Sequence, residues 1–579
     1  MVGKKAAISV AVIFIAVYLR KYGFPGKKLA PIVTTVQGKL QGVIAYSRDG
    51  REYFNYLAVP YAKPPVENLR FEPPEPVDSW SGVKDATEYG SPCLQYDLMA
   101  NQYVGEENCL YINIHTPKLN PRQDDNALLP VMFFIHGGLF IFGSGDLYRP
   151  DYFMDEDVVV VVINYRLASF GFLNTGDELV RGNMGLKDQV LALKFVQTNI
   201  KAFGGDPKKV SIVGESARMF RVHLHMLSKM SSGLFYKAIS QSGTAISPFI
   251  LTRTPKEQAI RFGEKLGCIT NDTKVMVECM KNIDATTFVG AHKETLDVLH
   301  DSLSVFSATV ETVKDENAFL TEDPMVLLKK GLIANKVPWI TGVNAEEGLI
   351  LSAGFMQNKT LVKALNKDWN NVVPKILFYQ RNDEASKKIR EQYFGKIRKI
   401  SDKHKSKLTN MVSDWAFFYP ASESARLQSK HAPVYLYYYL HSGDFSLAHM
   451  VCLFRGEYHY IIELLLDSIK KWINLNIIGQ RHHYFGVCHG DEQFIQFNTP
   501  ISSDITLQDG VHYKMSSDFV KLWADFAADK ADLNFRGVKW TPIKPDAPHL
   551  RYLLIDMSYG IVDEPFEKRI SFWRDNYVV

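Results

Sequence analysis

A serine hydroxyl becomes a nucleophile only when a base can reach it, and one stretch of this chain meets that demand. An apolar run at residues 210–213 passes directly into Gly214-Glu215-Ser216-Ala217 and then into a helical pattern. On such a tight strand-to-helix turn the hydroxyl stands clear of the sheet, and the helix N-terminus offers N–H groups to a developing oxyanion. A second stretch, Ile135-His136-Gly137-Gly138-Leu139-Phe140, follows another apolar run, and its paired glycines let backbone N–H groups approach a reacting oxygen. The base, and the acid that orients it, come later in the chain. Gly486-Val487-Cys488-His489-Gly490-Asp491-Glu492 sets a histidine among small residues, and Gly342-Val343-Asn344-Ala345-Glu346-Glu347-Gly348 sets carboxylates just after an expected strand. Serine, acid, histidine is one order in which such triads run along a chain. Spacing does not rank Glu346 against Glu347.

These groups need a scaffold that brings several strand ends together. Apolar runs at 131–135, 158–163, 210–213, 237–240, 338–341 and 434–440 alternate with helical patterns such as 186–200, which predicts βα units around a parallel sheet. The 158–163 run, nearly all valine, suits a strand covered on both faces. Residues 33–43, broken by Gly38 and Gly42, predict an antiparallel hairpin, and residues 435–439 a strand with tyrosines on both faces. With no internal repeat and no dividing linker, residues 29–579 are expected to form a single α/β domain, a large mostly parallel sheet flanked by helices.

Composition agrees with that scaffold. Of 579 residues, 46% are hydrophobic and 22% charged, which excludes disordered and low-complexity architectures. The 67 Lys and Arg against 63 Asp and Glu leave +4, too little for a basic stripe, and nucleic acid is set aside as a partner. Lys4 and Lys5 ahead of the uncharged run 6–19, followed by Arg20 and Lys21, mark residues 1–28 as a signal peptide or an uncleaved membrane anchor. Six cysteines and the N-x-T sequons at Asn271 and Asn358 fit a glycoprotein of the secretory pathway, extracellular or lumenal. No cysteine spacing is a C-x-x-C metal or redox motif. His223 and His225, two apart, fall on different faces of a helix and do not form a metal pair. The adjacent His482 and His483 read as solvated.

The chain resembles the type-B carboxylesterases, the branch of the α/β-hydrolase fold that includes cholinesterases and insect esterases. Besides the serine turn, the resemblance rests on Asn108-Cys109-Leu110-Tyr111-Ile112-Asn113-Ile114, Asn164-Tyr165-Arg166-Leu167, Gly182-Asn183-Met184-Gly185-Leu186-Lys187-Asp188-Gln189 and Gln241-Ser242-Gly243. It implies Ser216 as nucleophile, His489 as base and Glu347 as acid, with the N–H groups of Gly138, Leu139 and Ala217 as oxyanion hole. It further implies disulfides between Cys93 and Cys109 and between Cys268 and Cys279, a small-molecule ester as substrate, and no cofactor or metal. Ser242 is implied as a partner of the acid, an ordinary buried hydroxyl being the alternative.

Two departures from that pattern stand out. Arg218, Met219, Phe220 and Arg221 follow Ser216-Ala217 where glycine and small residues are expected. Large side chains forced into packed space typically cost about 1–3 kcal/mol, so the turn is expected to be strained and activity lowered. The alternative function is a catalytically impaired or silent esterase-like protein that serves in binding or adhesion. The second departure, residues 461–479, is an extra and partly amphipathic stretch ahead of the histidine segment, which reads as a lid or, like residues 218–221, as a splice or gene-model error.

Overall fold

The computed structural model describes residues 27–97, 102–119, 128–138, 140–215, 217–293, 306–443, 446–448, 486–499 and 510–576. Its centre is a 13-stranded sheet. The strands are β1 (Leu29–Thr34), β2 (Lys39–Tyr46), β3 (Glu52–Pro60), β4 (Val83–Asp85), β5 (Tyr111–Thr116), β6 (Leu129–Ile135), β7 (Val159–Ile163), β8 (Gly205–Glu215), β9 (Lys237–Gln241), β10 (Trp339–Asn344), β11 (Val434–Tyr439), β12 (Arg551–Ile555) and β13 (Gly560–Asp563). They lie in the order β1-β2-β3-β5-β7-β6-β8-β9-β10-β11-β12-β13, with β4 beside β2. Every neighbouring pair from β7 to β12 is parallel. The remaining pairs along this path are antiparallel, and the hairpin expected at the start is the pair β1 and β2.

The valine run becomes β7, and all five of its side chains are buried because helices cover both faces of the sheet. One face, carrying Val131, Phe133, Val159, Val161 and Ile212, packs against α1 (Met184–Asn199) and α2 (Ala217–Leu227). The other, carrying Met132, Phe134, Val160, Val162 and Val213, packs against Phe519 and Trp523 of a long C-terminal helix, Val511–Ala527. Alternation along each strand thus feeds two cores. Strand β8 begins at Gly205, earlier than its apolar run. The charged Lys208 and Lys209 mask that portion, which pairs with Leu129 of β6 across a register shift.

Between β10 and β11 lies a helical lobe of α3 (Leu349–Gln357), α4 (Lys359–Lys367), α5 (Asp383–Phe394) and α6 (Lys405–Ser413). Helix α6 continues into a π-helical turn at Asp414–Phe418, a geometry that concentrates near functional sites. Disulfides join Cys93 to Cys109 and Cys268 to Cys279. Among the described residues no helix is long and apolar enough to cross a membrane. The expected leader or anchor falls almost entirely in residues 1–26, and the expected lid in 461–479, both outside the described residues.

Candidate active site

The C-terminal ends of the parallel strands meet along one edge of the sheet, where ligands bind in open α/β architectures. At the end of β8 the strand stops at Glu215, and α2 starts at Ala217. Ser216 itself lies outside the described residues, as does Leu139. At the end of β6 the loop folds tightly on Gly138, whose carbonyl accepts the N–H groups of Ile141 and Phe142 at 2.8 and 2.9 Å. Gly138 sits at φ 114°, and a Cβ there would come within 1.8 Å of the Phe142 carbonyl oxygen. Only glycine fits.

Beyond β10 the two glutamates divide the work. The Glu346 carboxylate accepts the N–H of Val487 at 2.9 Å, and its own N–H donates to the Val487 carbonyl at 2.9 Å, which clips the histidine loop to the strand end. Glu347 accepts the Asn344 N–H at 2.7 Å on one oxygen and meets His489 Nδ1 at 2.6 Å with the other. Next along the loop, Asp491 takes the Cys488 N–H at 2.7 Å, and Gly490 turns the chain at φ 83°. The far nitrogen of the buried imidazole, Nε2, lies 3.5 Å from a Glu215 carboxylate oxygen. The Phe417 ring, carried by the π-helical turn, packs on the imidazole at 4.8 Å between centroids.

Burial sets the electrostatics. It pushes the Glu347 carboxyl up to about 8, against the opposing pull of the Ser242 hydroxyl and the Asn344 N–H. Ser242 is buried and held at φ 71° at the end of β9. Burial likewise raises Asp491 to about 8. Glu492 is pushed well above the usual carboxylate range by burial and by the charges of Glu215 and Glu347. A proton accepted by His489 would put positive charge 2.6 Å from Glu347, which favours the ionised carboxylate against the upward push of burial, and the Glu347 and Glu215 carboxylates would in turn favour the transient imidazolium. Glu215 and Glu492 were not singled out from the sequence. Glu215 stands inside the quoted serine motif and Glu492 three residues past the histidine, but only the fold brings Glu215 to the imidazole and Glu492 to the side-chain amides of Asn344 and Gln241.

Of the bulky residues after Ala217, Phe220 and Arg221 have their side chains in the core. Phe220 is buried where Gly243 leaves room, since a Cβ at 243 would lie 2.3 Å from its ring. Arg221 is fully buried beneath the loop that carries Gly138, donating to the His136 carbonyl at 3.2 Å and to the Tyr165 hydroxyl, with its guanidinium over the Phe140 ring at 4.2 Å. The side chains of Arg218 and Met219 lie outside the described residues. His223 accepts the Ala245 N–H at 3.0 Å, whereas His225 bridges Ser231 and Gln189 at 2.7 and 2.9 Å, so the two serve different neighbours. Of the sequon asparagines, Asn271 is exposed and Asn358 caps α4 through the N–H groups of Thr360 and Leu361. His482 and His483 are outside the described residues.

Parallel strands whose C-terminal ends carry the loops of Gly138, Glu347 and His489, with helices on both faces of the sheet, have the architecture of an α/β-hydrolase, and a solved structure has the same fold. Juvenile hormone esterase from Manduca sexta, with OTFP covalently attached, superposes with a TM-score of 0.78 at 27% identity, over 94% of this chain and 99% of that one. The chain belongs to the carboxylesterase family, whose model matches residues 29–573. A carboxylic ester hydrolase of Bombus ignitus is 37% identical over 559 residues, 94% of each chain. Venom carboxylesterase-6 of Apis mellifera is 36% identical over 562 residues, again 94% of each.

Proposed function

We propose that this chain hydrolyses carboxylic esters of small molecules through an acyl-enzyme, with Ser216 as nucleophile, His489 as base and Glu347 as orienting acid, and that residues 29–579 act as one catalytic domain. The observation that carries the reading is the placement of His489, with Nδ1 against the buried Glu347 and Nε2 facing the end of β8. Ser216 Oγ attacks the ester carbonyl carbon as its proton passes to Nε2, while Nδ1–H stays on Glu347. The N–H groups of Gly138, Leu139 and Ala217 take the charge on the carbonyl oxygen. The imidazolium returns the proton to the departing alcohol, and a water activated by the same nitrogen then releases the acid and frees Ser216. The covalently attached OTFP in the Manduca sexta enzyme accords with covalent chemistry. The two disulfides accord with a secretory, extracellular or lumenal location.

Arg218 beside the nucleophile favours a second reading, a silent relative that binds without turnover. Mixing the protein with a p-nitrophenyl ester separates them. A burst of one p-nitrophenol per chain followed by steady release is the expected result, and neither burst nor turnover would replace hydrolysis with binding.

A further inference from the structure

The whole-chain charge of +4 conceals a local excess. Of the chain's 67 Lys and Arg and 63 Asp and Glu, fourteen of the cations and only five of the acids fall between residues 359 and 407, so the remainder of the molecule is net negative. The basic stripe that the whole-chain sum argued against is present on the helical lobe. Lys359, Lys363 and Lys367, all exposed, stand four apart along one side of α4, a row about 12 Å long. Leu361 and Leu365 are buried on the opposite side. Asn366 joins this helix to the next basic segment, donating to the Ile400 carbonyl at 2.9 Å and accepting the Ile400 N–H at 2.7 Å. That segment carries exposed Lys396, Arg398 and Lys399, and the chain runs on through Lys403 to Lys405 and Lys407 in the first turn of α6.

Local electrostatics opposes most of these positions, Lys367 at the C-terminal end of α4 being the exception. Like charges four apart on a helix repel one another, and cations in a first helical turn face the positive end of the helix dipole. Within the lobe, ion pairs bind Arg381 to Asp383 and Lys388 to Glu384. Among the described residues, none of the nine cations on the row and the adjoining segment lies within ion-pair distance of a carboxylate. Repulsion that the fold leaves uncompensated is relieved by an anion from outside.

We propose that this face docks the protein on a linear acidic polysaccharide bearing sulfate or carboxylate groups. A row of separate lysines matches charges spaced along a polymer, because each ammonium acts as a point charge. A bilayer fits less well: among the described residues no large apolar side chain between Leu332 and Val511 is exposed to enter one. The disulfides assign the chain to an oxidising compartment, where extracellular polysaccharides are the abundant polyanions.

Heparin serves as the probe for the full-length protein, with Lys363→Glu/Lys367→Glu/Lys399→Glu as the test variant and Lys208→Glu/Lys209→Glu as a control on exposed lysines elsewhere. The expected result is heparin binding that weakens steeply with NaCl, at least tenfold weaker in the triple variant at 100 mM NaCl, with the control within twofold of wild type. The far-ultraviolet circular dichroism spectrum of the triple variant should match that of wild type, which shows that lost binding reflects lost charge and not lost fold. Equal weakening in both variants, or no binding by wild type, would overturn the assignment. Binding to phosphatidylserine vesicles as tight as to heparin and equally sensitive to the triple variant would reassign the face to a membrane surface. None of these readouts depends on ester hydrolysis.

Discussion

Two consecutive glutamates end on different tasks because the loop after β10 turns Glu346 toward the Val487 backbone and Glu347 toward the imidazole. Glu347→Gln leaves shape nearly intact but removes the charge that stabilises the imidazolium, so kcat should fall by about 10²–10⁴-fold with KM little changed. Glu346→Gln keeps an oxygen for the Val487 N–H and should lower kcat less than about threefold. Steady-state kinetics of the two variants decides between them, and the reverse ranking would move the acid by one position. A second residue-scale effect concerns pH. Burial pushes His223 down to about 3, so it stays neutral in the fold, while in the unfolded chain it takes up a proton below about 6.5. Its contribution to stability is therefore full above that pH and shrinks as pH falls, by about 1.4 kcal/mol per unit. Thermal unfolding of wild type and His223→Gln should differ most at pH 7 and converge toward pH 4.5. A constant gap would mean that the folded protein protonates His223. The residue types of the proposed triad could be picked from the sequence because each chemistry has few side chains able to perform it. The ranking of the glutamates was not, since one residue of chain separates two opposite directions.

At the scale of elements, the turn from β8 into α2 shows what sequence pattern sees and what it misses. The strand and helix were legible from the apolar run and the motif, whereas the fate of the bulky residues depended on partners far away in sequence. Phe220 finds space at Gly243, and Arg221 finds the His136 carbonyl and the faces of Phe140 and Tyr165. Arg221 therefore acts as filling and as a tie between α2 and the loop that carries Gly138. Arg221→Ala should destabilise the protein by about 2–4 kcal/mol, read as a lowered thermal midpoint, because it opens a cavity and removes a donor from a buried carbonyl. A rise in stability would restore the view that the side chain is overpacked. The π-helical turn at Asp414–Phe418 was illegible, since a change from i+4 to i+5 bonding leaves little trace in hydrophobic spacing. It is held by Asp414, which accepts from Tyr393 at 2.8 Å and pairs with Arg569 at 2.6 Å, and it delivers Phe417 to His489.

Over the whole molecule, continuous apolar runs disclosed the parallel core strands because both of their faces are covered, and the sheet order emerged only from long-range pairing. Summed charge misled where distribution mattered: the basic lobe and the net-negative remainder nearly cancel in the total. The account as a whole stands on His489, which the end of β8 and the loop after β10 flank with carboxylates on both sides, and on the proposal that Ser216 is the nucleophile it serves. The most direct test is to treat the full-length protein with a fluorophosphonate and map the adduct by peptide mass spectrometry. One adduct per chain on Ser216, absent in Ser216→Ala together with ester turnover and formed at least tenfold more slowly in Glu347→Gln, is the predicted result. Ester turnover that survives Ser216→Ala, or an adduct on another residue, would contradict it.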